Sequence, residues 1–224
     1  MLSSAFLDYR LYLFVLIYSG LSLSLAVVSI FLPTIVGDLG YKAVSAKVMT
    51  VPVYTAAYAL LLTTAYLSDR FHVRGFPIIV ASFISGAGYL VLGLVKDNST
   101  RYGACFMAVS GTYMAFPIVL AWILSTFAAD TKGGVGVGVV IAVTHAVGVA
   151  ASNIFPAKQG PQYFTGTMVT GALAFTATLS SLVMVILLNK ENCRRDRIYG
   201  KPERGTQIHM SGDADKTADF RYEL

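Results

Sequence analysis

The sequence predicts an all-α membrane protein with six transmembrane helices. Apolar residues make up 55% of the 224 residues and charged residues only 13%, whereas a soluble domain carries about 25% charged residues. The mean hydropathy is +0.65. Six apolar runs are each long enough to cross a bilayer, which takes about 20 helical residues. All twelve Asp and Glu residues lie outside these runs, so the charges mark the loops and the tails.

The first run extends from about residue 11 to residue 36, after a ten-residue N-terminus. It is longer than the core of a signal peptide and lacks a small-residue cleavage site, so we interpret it as a retained span. Tyr18 and Ser22 lie one turn apart on one face of this run. Their hydroxyl groups either line an aqueous path or contact another helix, because hydroxyls readily form hydrogen bonds between helices in lipid.

The second run, about 48–67, carries Tyr54 and Tyr58 one turn apart. Tyrosines at this depth need hydrogen-bond partners for their hydroxyl groups. The connection to the third run combines an acid, two arginines and a glycine within a few residues: Asp69, Arg70, Arg74 and Gly75. Charges at this density place the connection outside the bilayer.

The third run, about 76–95, has a centre of small residues, Ser85 to Gly88, that suits close helix packing. The loop after it contains Asn98-Ser-Thr, which fits the acceptor pattern for N-glycosylation and favours an external or lumenal face. The fourth run, about 103–127, carries a further tyrosine, Tyr113. These two runs therefore supply one packing surface and one more candidate for a polar path.

The fifth run, about 133–155, holds one ionisable side chain, His145, near its middle. An imidazole at this depth is costly unless it faces protein or water, which makes it a functional candidate. Two interpretations remain open, a ligand or proton role and a neutral histidine in a packed interface. At the helical period its face is shared with small residues that let a neighbouring helix approach: Gly134, Gly138, Gly148 and Ser152.

The sixth run, about 166–188, is followed by a charged, aromatic-poor tail, 189–224, which the composition predicts to be disordered. Eight of the seventeen Lys and Arg residues lie in this tail. Such a tail suits an anionic membrane surface and needs no nucleic-acid partner. Six spans put both termini on one side of the membrane, and the basic tail makes that side the more positive one. The positive-inside rule therefore predicts cytoplasmic termini.

The sequence contains no group of residues typical of an enzyme. We find no nucleophile with a base and an acid, no pair of His residues or carboxylates at helical spacing, and no phosphate loop that ends in Gly-Lys-Ser/Thr. Cys105 and Cys193 have neither disulfide nor metal-ligand spacing. We therefore predict no enzyme activity, no metal and no cofactor. A self-assembled channel is disfavoured, because a repeated filter loop and a ring of charges are both missing.

A series of short stretches occurs in a particular order: Phe31-Leu-Pro-Thr-Ile-Val-Gly-Asp-Leu-Gly-Tyr41, Met49-Thr-Val-Pro-Val-Tyr54, Tyr66-Leu-Ser-Asp-Arg70, Arg74-Gly75, Ala121-Trp122, Asp130-Thr131-Lys132, Ala151-Ser-Asn-Ile-Phe155 and Asn189-Lys-Glu-Asn192. Together they resemble the second half of fungal major facilitator transporters of the anion:cation symporter group, which includes allantoate and nicotinate permeases. The resemblance covers about residues 11–197, and its specificity comes from the ordered set of stretches.

The resemblance implies half of a major facilitator fold, in which the six spans correspond to the seventh through twelfth of twelve helices. It implies that the loop of Asp69, Arg70, Arg74 and Gly75 caps helix ends and pairs charges between the two halves, latching one gating state. The simpler interpretation of this loop is a solvated connection. The resemblance also implies a transport cavity lined by the helices that carry Tyr18, Ser22, Tyr54, Tyr58, Tyr113 and His145.

Two departures from the family pattern matter. Relatives tend to have Asn in the eleventh helix where this chain has His145, which either adds proton sensitivity or replaces one polar group with another. The other six-helix half is missing from the chain, although substrates of this fold bind near the midplane between two halves. The glycine face of the fifth run then suits a surface that slides against a helix of the other half.

We therefore expect the C-terminal half of a proton- or ion-coupled transporter for a small organic anion, working in a lipid bilayer with a separate N-terminal half or a second copy. The alternative is a truncated membrane protein without transport activity, or an interaction subunit. The resemblance makes the plasma membrane the expected location. No Lys or Arg lies within the six spans, so a basic residue that receives the anion has to come from the other half.

Overall fold

The computed structural model describes residues 8–38, 43–127, 130–149, 163–200 and 220–224, and no strand occurs among them. The all-α prediction with six helices is confirmed. The helices follow one another along the chain as α1 (Tyr9–Asp38), α2 (Ala43–Phe71), α3 (Gly75–Leu94), α4 (Asn98–Phe127), α5 (Asp130–Val149) and α6 (Phe164–Tyr199).

Five of these helices, all except α5, are long and apolar enough to cross a membrane. In α5 the described apolar stretch, Gly134–Ala146, is shorter. The sequence predicts that the fifth span continues to about residue 155, and residues 150–162 lie outside the part of the chain that the structure describes. Each described helix contains its predicted apolar run or most of it, because a long apolar segment in lipid has to satisfy its backbone internally.

The last helix differs from the sequence prediction at its end. We predict a disordered tail from residue 189, whereas α6 continues as helix to Tyr199. The extension is polar and is supported by ion pairs at helical spacing, since Glu191 accepts hydrogen bonds from Arg194 at 2.8 Å and Arg195 at 3.1 Å. The end of an apolar run marks the end of the membrane and not the end of the helix.

Close backbone contact joins α3 to α4, and α3 also packs extensively against α6. A Cβ atom on Gly88 would lie 2.5 Å from the backbone nitrogen of Ala108, and one on Gly111 would lie 2.5 Å from that of Ser85. Both distances are too short for any side chain. The predicted small-residue centre of the third run therefore forms a packing surface in the structure.

Hydrogen bonds between helices tie the interior together. The hydroxyls of Ser85 and Thr112 lie 2.9 Å apart between α3 and α4, and Tyr89 donates to the carbonyl of Ser24 in α1 at 3.0 Å. All four of these residues are buried. In lipid, where apolar packing alone gives little drive for association, such bonds help to specify which helices pair.

The helix ends define two ends of the bundle. Residues 220–224 contact the first turn of α1, the loop from His72 to Arg74 between α2 and α3, and the last part of α4, so these segments lie at one end of the bundle. We call this the tail end. The loop between α3 and α4, which precedes Asn98, lies at the opposite end, since α3 and α4 each cross the bundle once.

Candidate functional site

Two of the predicted pathway tyrosines meet between α2 and α4. The rings of Tyr54 and Tyr113 pack edge to face with their centroids 6.0 Å apart, and the hydroxyl of Tyr54 donates to the carbonyl of Val28 in α1 at 3.4 Å. Edge-to-face packing is a favoured arrangement for aromatic rings. The pair therefore connects α1, α2 and α4, the helices that carry most of the predicted pathway.

Tyr18 and Ser22 lie apart from that pair. Both are buried, and the ring of Tyr18 packs against Phe116 of α4 with centroids 4.9 Å apart. Tyr18 belongs to the hydrophobic cluster that also contains Trp122, whereas Tyr54 and Tyr113 pack against the second cluster of the core. The predicted residues are thus distributed along the bundle and do not line one enclosed pocket.

Tyr58 and His145 face away from the six helices. Tyr58 is 63% exposed, and His145 is exposed on α5. A ligand or proton role for either residue accordingly needs a further wall outside the described part of this chain. Among the described residues, neither Tyr58 nor His145 shares a hydrogen bond or a ring contact with the Tyr54–Tyr113 pair.

The glycines of α5 use two different faces. Gly134 and Gly138, predicted for helix packing, have no atom within 4 Å of a would-be Cβ. Gly136 instead lies against Phe127, whose ring would come within 3.0 Å of such an atom, and Val140 is buried one turn further along. Among the residues that the structure describes, nothing therefore covers the predicted face at Gly134 and Gly138. The side-chain surroundings of Gly148 and the whole of Ser152 fall outside the described residues.

The predicted gating loop is organised around Arg74. Its guanidinium contacts the carboxylate of Asp69 and donates from Nε to Glu223 at 3.0 Å. Burial disfavours the charge, but the hydrogen bonds to Glu223 and Asp69 outweigh burial and raise the pKa of Arg74 above its ordinary value. Arg70 is exposed and donates to the hydroxyl of Tyr66 one turn earlier at 3.1 Å. Arg74 is therefore the residue that fixes this loop.

Gly75 and His72 give the loop its tight geometry. A Cβ atom on Gly75 would overlap Val185 of α6 and lie 3.1 Å from the ring of Trp122, so only glycine fits where α3 begins. His72 has a φ of 53°, in the left-handed region that few residues other than glycine adopt readily. The loop closes by a hydrogen bond of 2.8 Å from the hydroxyl of Ser68 to the carbonyl of Val73.

The segment 220–224, for which the sequence predicts no site, packs against this loop. Phe220 and Tyr222 are buried in the cluster at the tail end, although the composition of the tail predicts disorder. Trp122 donates from its indole nitrogen to the carbonyl of Glu223 at 2.9 Å. Phe220 and Tyr222, two aromatic residues only two positions apart near residue 224, are the signal that could have identified this segment.

Asn98, the predicted glycosylation residue, is exposed at the first position of α4. The carboxylate of Asp97 just before it accepts hydrogen bonds from the backbone and the hydroxyl of Thr100, at 2.8 Å and 2.7 Å. These bonds cap the helix and lower the pKa of Asp97. The acceptor triplet therefore forms the first turn of α4, at the end of the bundle away from the tail.

An open groove of about 730 Å³ lies between α2, α3 and α4. Its walls are almost entirely apolar, with Leu60, Phe76 and Met107 among the lining residues. An anion bound here would lose its hydration without gaining a charged partner, which is costly. The groove suits an acyl chain of the bilayer and is a poor site for a polar substrate.

Curated proteins similar to this chain are fungal transporters. An uncharacterized transporter of Schizosaccharomyces pombe is 29% identical over 222 residues, which are 99% of this chain and 44% of that protein. An MFS-type transporter of Penicillium expansum is 31% identical over 73% of this chain and 33% of its own length. The high-affinity nicotinic acid transporter of Saccharomyces cerevisiae is 24% identical over 91% of this chain and 38% of its own length.

The chain therefore spans less than half the length of the curated relatives it matches. No family model matches the chain, and no solved structure does. More than half of each of these relatives therefore lies outside the matched region.

Proposed function

This chain belongs to the major facilitator superfamily, and it matches less than half the length of the fungal transporters that are similar to it. We therefore propose that it is the C-terminal six-helix half of a secondary transporter. Its helices then correspond to the seventh through twelfth helices of the full fold. The ordered motifs from Phe31 to Asn192 support this assignment to the second half. Transport, and not catalysis, is the activity that the names of the relatives support.

The observation that carries the proposal is the uncovered surface of α2 and α5. Of the residues in the most apolar stretch of α2, 17% are buried, against 61% in α4. Tyr58 of α2 and His145 of α5 both lie on exposed faces. In this fold the substrate sits between two halves that rock against each other. We assign these exposed faces to the wall that meets the second half, which is either a separate N-terminal half or a second copy of this chain.

The proposed substrate is a small organic anion. Support comes from the nicotinic acid transporter among the relatives and from the aromatic pair Tyr54 and Tyr113, whose rings suit packing against a small aromatic carboxylate. No Lys or Arg lies in the predicted spans of this chain. The positive group that balances the anion then belongs to the other half.

We place this half in the plasma membrane with its tail end in the cytoplasm. The basic residues support this orientation, because the tail and the loop of Arg70 and Arg74 lie on the same side. The exposed Asn98 then faces outward, where its acceptor triplet can be glycosylated.

Uptake into liposomes tests the proposal. Three preparations are compared, this chain alone, the N-terminal half of the Schizosaccharomyces pombe relative alone, and both reconstituted together. We expect uptake of radiolabelled nicotinate, or of another carboxylate from a small panel, only in the combined preparation, and a protonophore should abolish it. If the two halves co-purify and no carboxylate enters at any pH, the alternative of a transport-inactive membrane protein or interaction subunit replaces this proposal.

Replacing His145 with Asn, the residue that the family resemblance implies at this position, is expected to alter the pH dependence of that uptake measured between about pH 5 and pH 8, because an imidazole side chain can bind a proton and an amide side chain cannot. The matched control is Ala146→Asn, which places the same side chain at the neighbouring exposed position of α5 and removes no histidine, and we expect it to leave the pH dependence unchanged. Initial rates across this pH range provide the measurement. Identical profiles for the parent and the His145→Asn protein would return His145 to a packing role.

A further inference from the structure

We propose that residues 220–224 form a clamp, an internal peptide that docks reversibly at the tail end of the bundle and keeps Arg74 paired. The clamp joins α1, the loop between α2 and α3, α4 and α6 through one short segment. The clamp is a contact within the chain and does not depend on transport of a substrate.

The backbone of the clamp is recognised by a side-chain amide. Asn192 of α6 donates to the carbonyl of Tyr222 and accepts from the backbone nitrogen of Tyr222, both at 2.9 Å. One amide thus satisfies both backbone groups of one residue, as a neighbouring strand would. Such pairing fixes the position of a peptide along the helix.

Two guanidinium groups lie close to the Tyr222 ring. Arg10 of α1 is 4.4 Å from the ring centroid and Arg195 of α6 is 5.0 Å from it, and Arg195 also donates to the phenol oxygen at 3.1 Å. Arginine over an aromatic face is attractive, more so when both are shielded from water, and Tyr222 is only 3% exposed. The ring therefore holds the first turn of α1 against the extension of α6.

Ion pairs close both ends of the clamp. Arg221 donates to the carboxylate of Asp196 at 2.7 Å, and Glu223 accepts from Arg74 at 3.0 Å. The backbone nitrogen of Arg74 also donates to the carbonyl of Leu224 at 2.6 Å. The charges of the segment thus alternate in register with opposite charges on the bundle, which is the complementarity expected of a docked peptide.

Docking determines what Arg74 can do. In the docked state, Glu223 accepts from Nε of the guanidinium and Asp69 contacts Nη1, so a carboxylate from elsewhere meets a guanidinium that two carboxylates already pair. In the released state, the Glu223 contact is lost and Arg74 gains a free donor edge at the tail end. The clamp therefore acts as an intramolecular competitor for any acidic group that approaches this loop.

Trp122 reports docking directly, because it is the single tryptophan of the chain and its indole donates to Glu223 of the clamp. The full chain is purified in detergent, and its emission maximum and acrylamide quenching are compared with those of Asn192→Ala. We expect this change, which removes both bonds to Tyr222, to shift the emission to longer wavelength and increase quenching. The matched control is Asn189→Ala, an exposed amide one turn earlier on α6, which should leave both signals unchanged.

A chain ended at Asp219 should show the same red shift, and adding a synthetic peptide with the sequence of residues 219–224 should reverse the shift with saturation. Helical circular dichroism confirms that the shortened chain is folded, and Asn192→Ala gives an independent answer if it is not. Emission and quenching that stay at the parent values in Asn192→Ala would overturn the proposal. So would a folded, shortened chain whose red-shifted emission does not respond to the peptide.

Discussion

Replacement of Gly111 with alanine is expected to destabilise the helix bundle, whereas the same replacement at Gly103 of the same helix is not. A methyl group on Gly111 would lie 2.5 Å from backbone atoms of Ala81 and Ser85 in α3. Backbone atoms in a helix cannot move aside by changing rotamer, as a side chain can. The added methyl group would therefore force α3 and α4 apart at their closest contact. Overpacking of this kind costs about 1–3 kcal/mol.

Gly103 is the matched control because a Cβ atom there meets nothing within 4 Å. Alanine favours helix over glycine by about 1 kcal/mol in solvent-exposed positions, so Gly103→Ala should leave stability unchanged or raise it slightly. The measurement is the temperature at which half of the protein in detergent is lost from the monodisperse peak on gel filtration. Gly88→Ala tests the same contact from α3. Equal midpoints for Gly111→Ala and Gly103→Ala would contradict the packing described for α3 and α4.

This close contact was accessible from the sequence. The small residues from Ser85 to Gly88 predict a packing surface, since lipid offers no hydrophobic drive for helix association and small side chains let backbones approach. Hydropathy likewise predicts the six helices, because the length and polarity of a span are local properties of the chain.

The sequence does not reveal which face of α5 packs against the other helices of this chain. Glycines at 134, 136 and 138 alternate with valines, so they offer small residues to more than one side of a helix. The periodicity around His145 selects the side of Gly134 and Gly138, but the structure packs Gly136 against Phe127. Which side faces the bundle depends on the position of α4, and local spacing carries no information about that position.

The docked segment 220–224 was missed for a related reason. Composition describes residues 189–224 as charged and poor in aromatics, which is typical of disorder. Tyr222 is nevertheless held by Asn192, thirty residues earlier, and the neighbouring Glu223 by Trp122, a hundred and one residues earlier. Contacts at such separation depend on the completed bundle, so a window of local composition cannot detect them.

Replacements of Tyr89 in α3 and Tyr58 in α2 should distinguish an effect on the stability of the bundle from an effect on transport. Tyr89 is 1% exposed and donates to the carbonyl of Ser24, whereas Tyr58 is 63% exposed. Tyr89→Ala removes a full ring from between α1, α3 and α4 and should lower the stability of the bundle by about 3–5 kcal/mol. Tyr89→Phe, which removes only the hydroxyl, should cost about 1 kcal/mol.

Tyr58→Ala is expected to change stability by no more than about 0.5 kcal/mol, because an exposed side chain leaves no cavity. In the combined liposome preparation it should nevertheless slow carboxylate uptake, since we assign the exposed face of α2 to the wall that meets the second half. Thermal midpoints on gel filtration and initial uptake rates, measured on the same preparations, distinguish the two effects. A Tyr58→Ala protein with normal uptake would place this tyrosine against lipid, because a side chain in the transport path cannot be lost without altering how the substrate is bound and released.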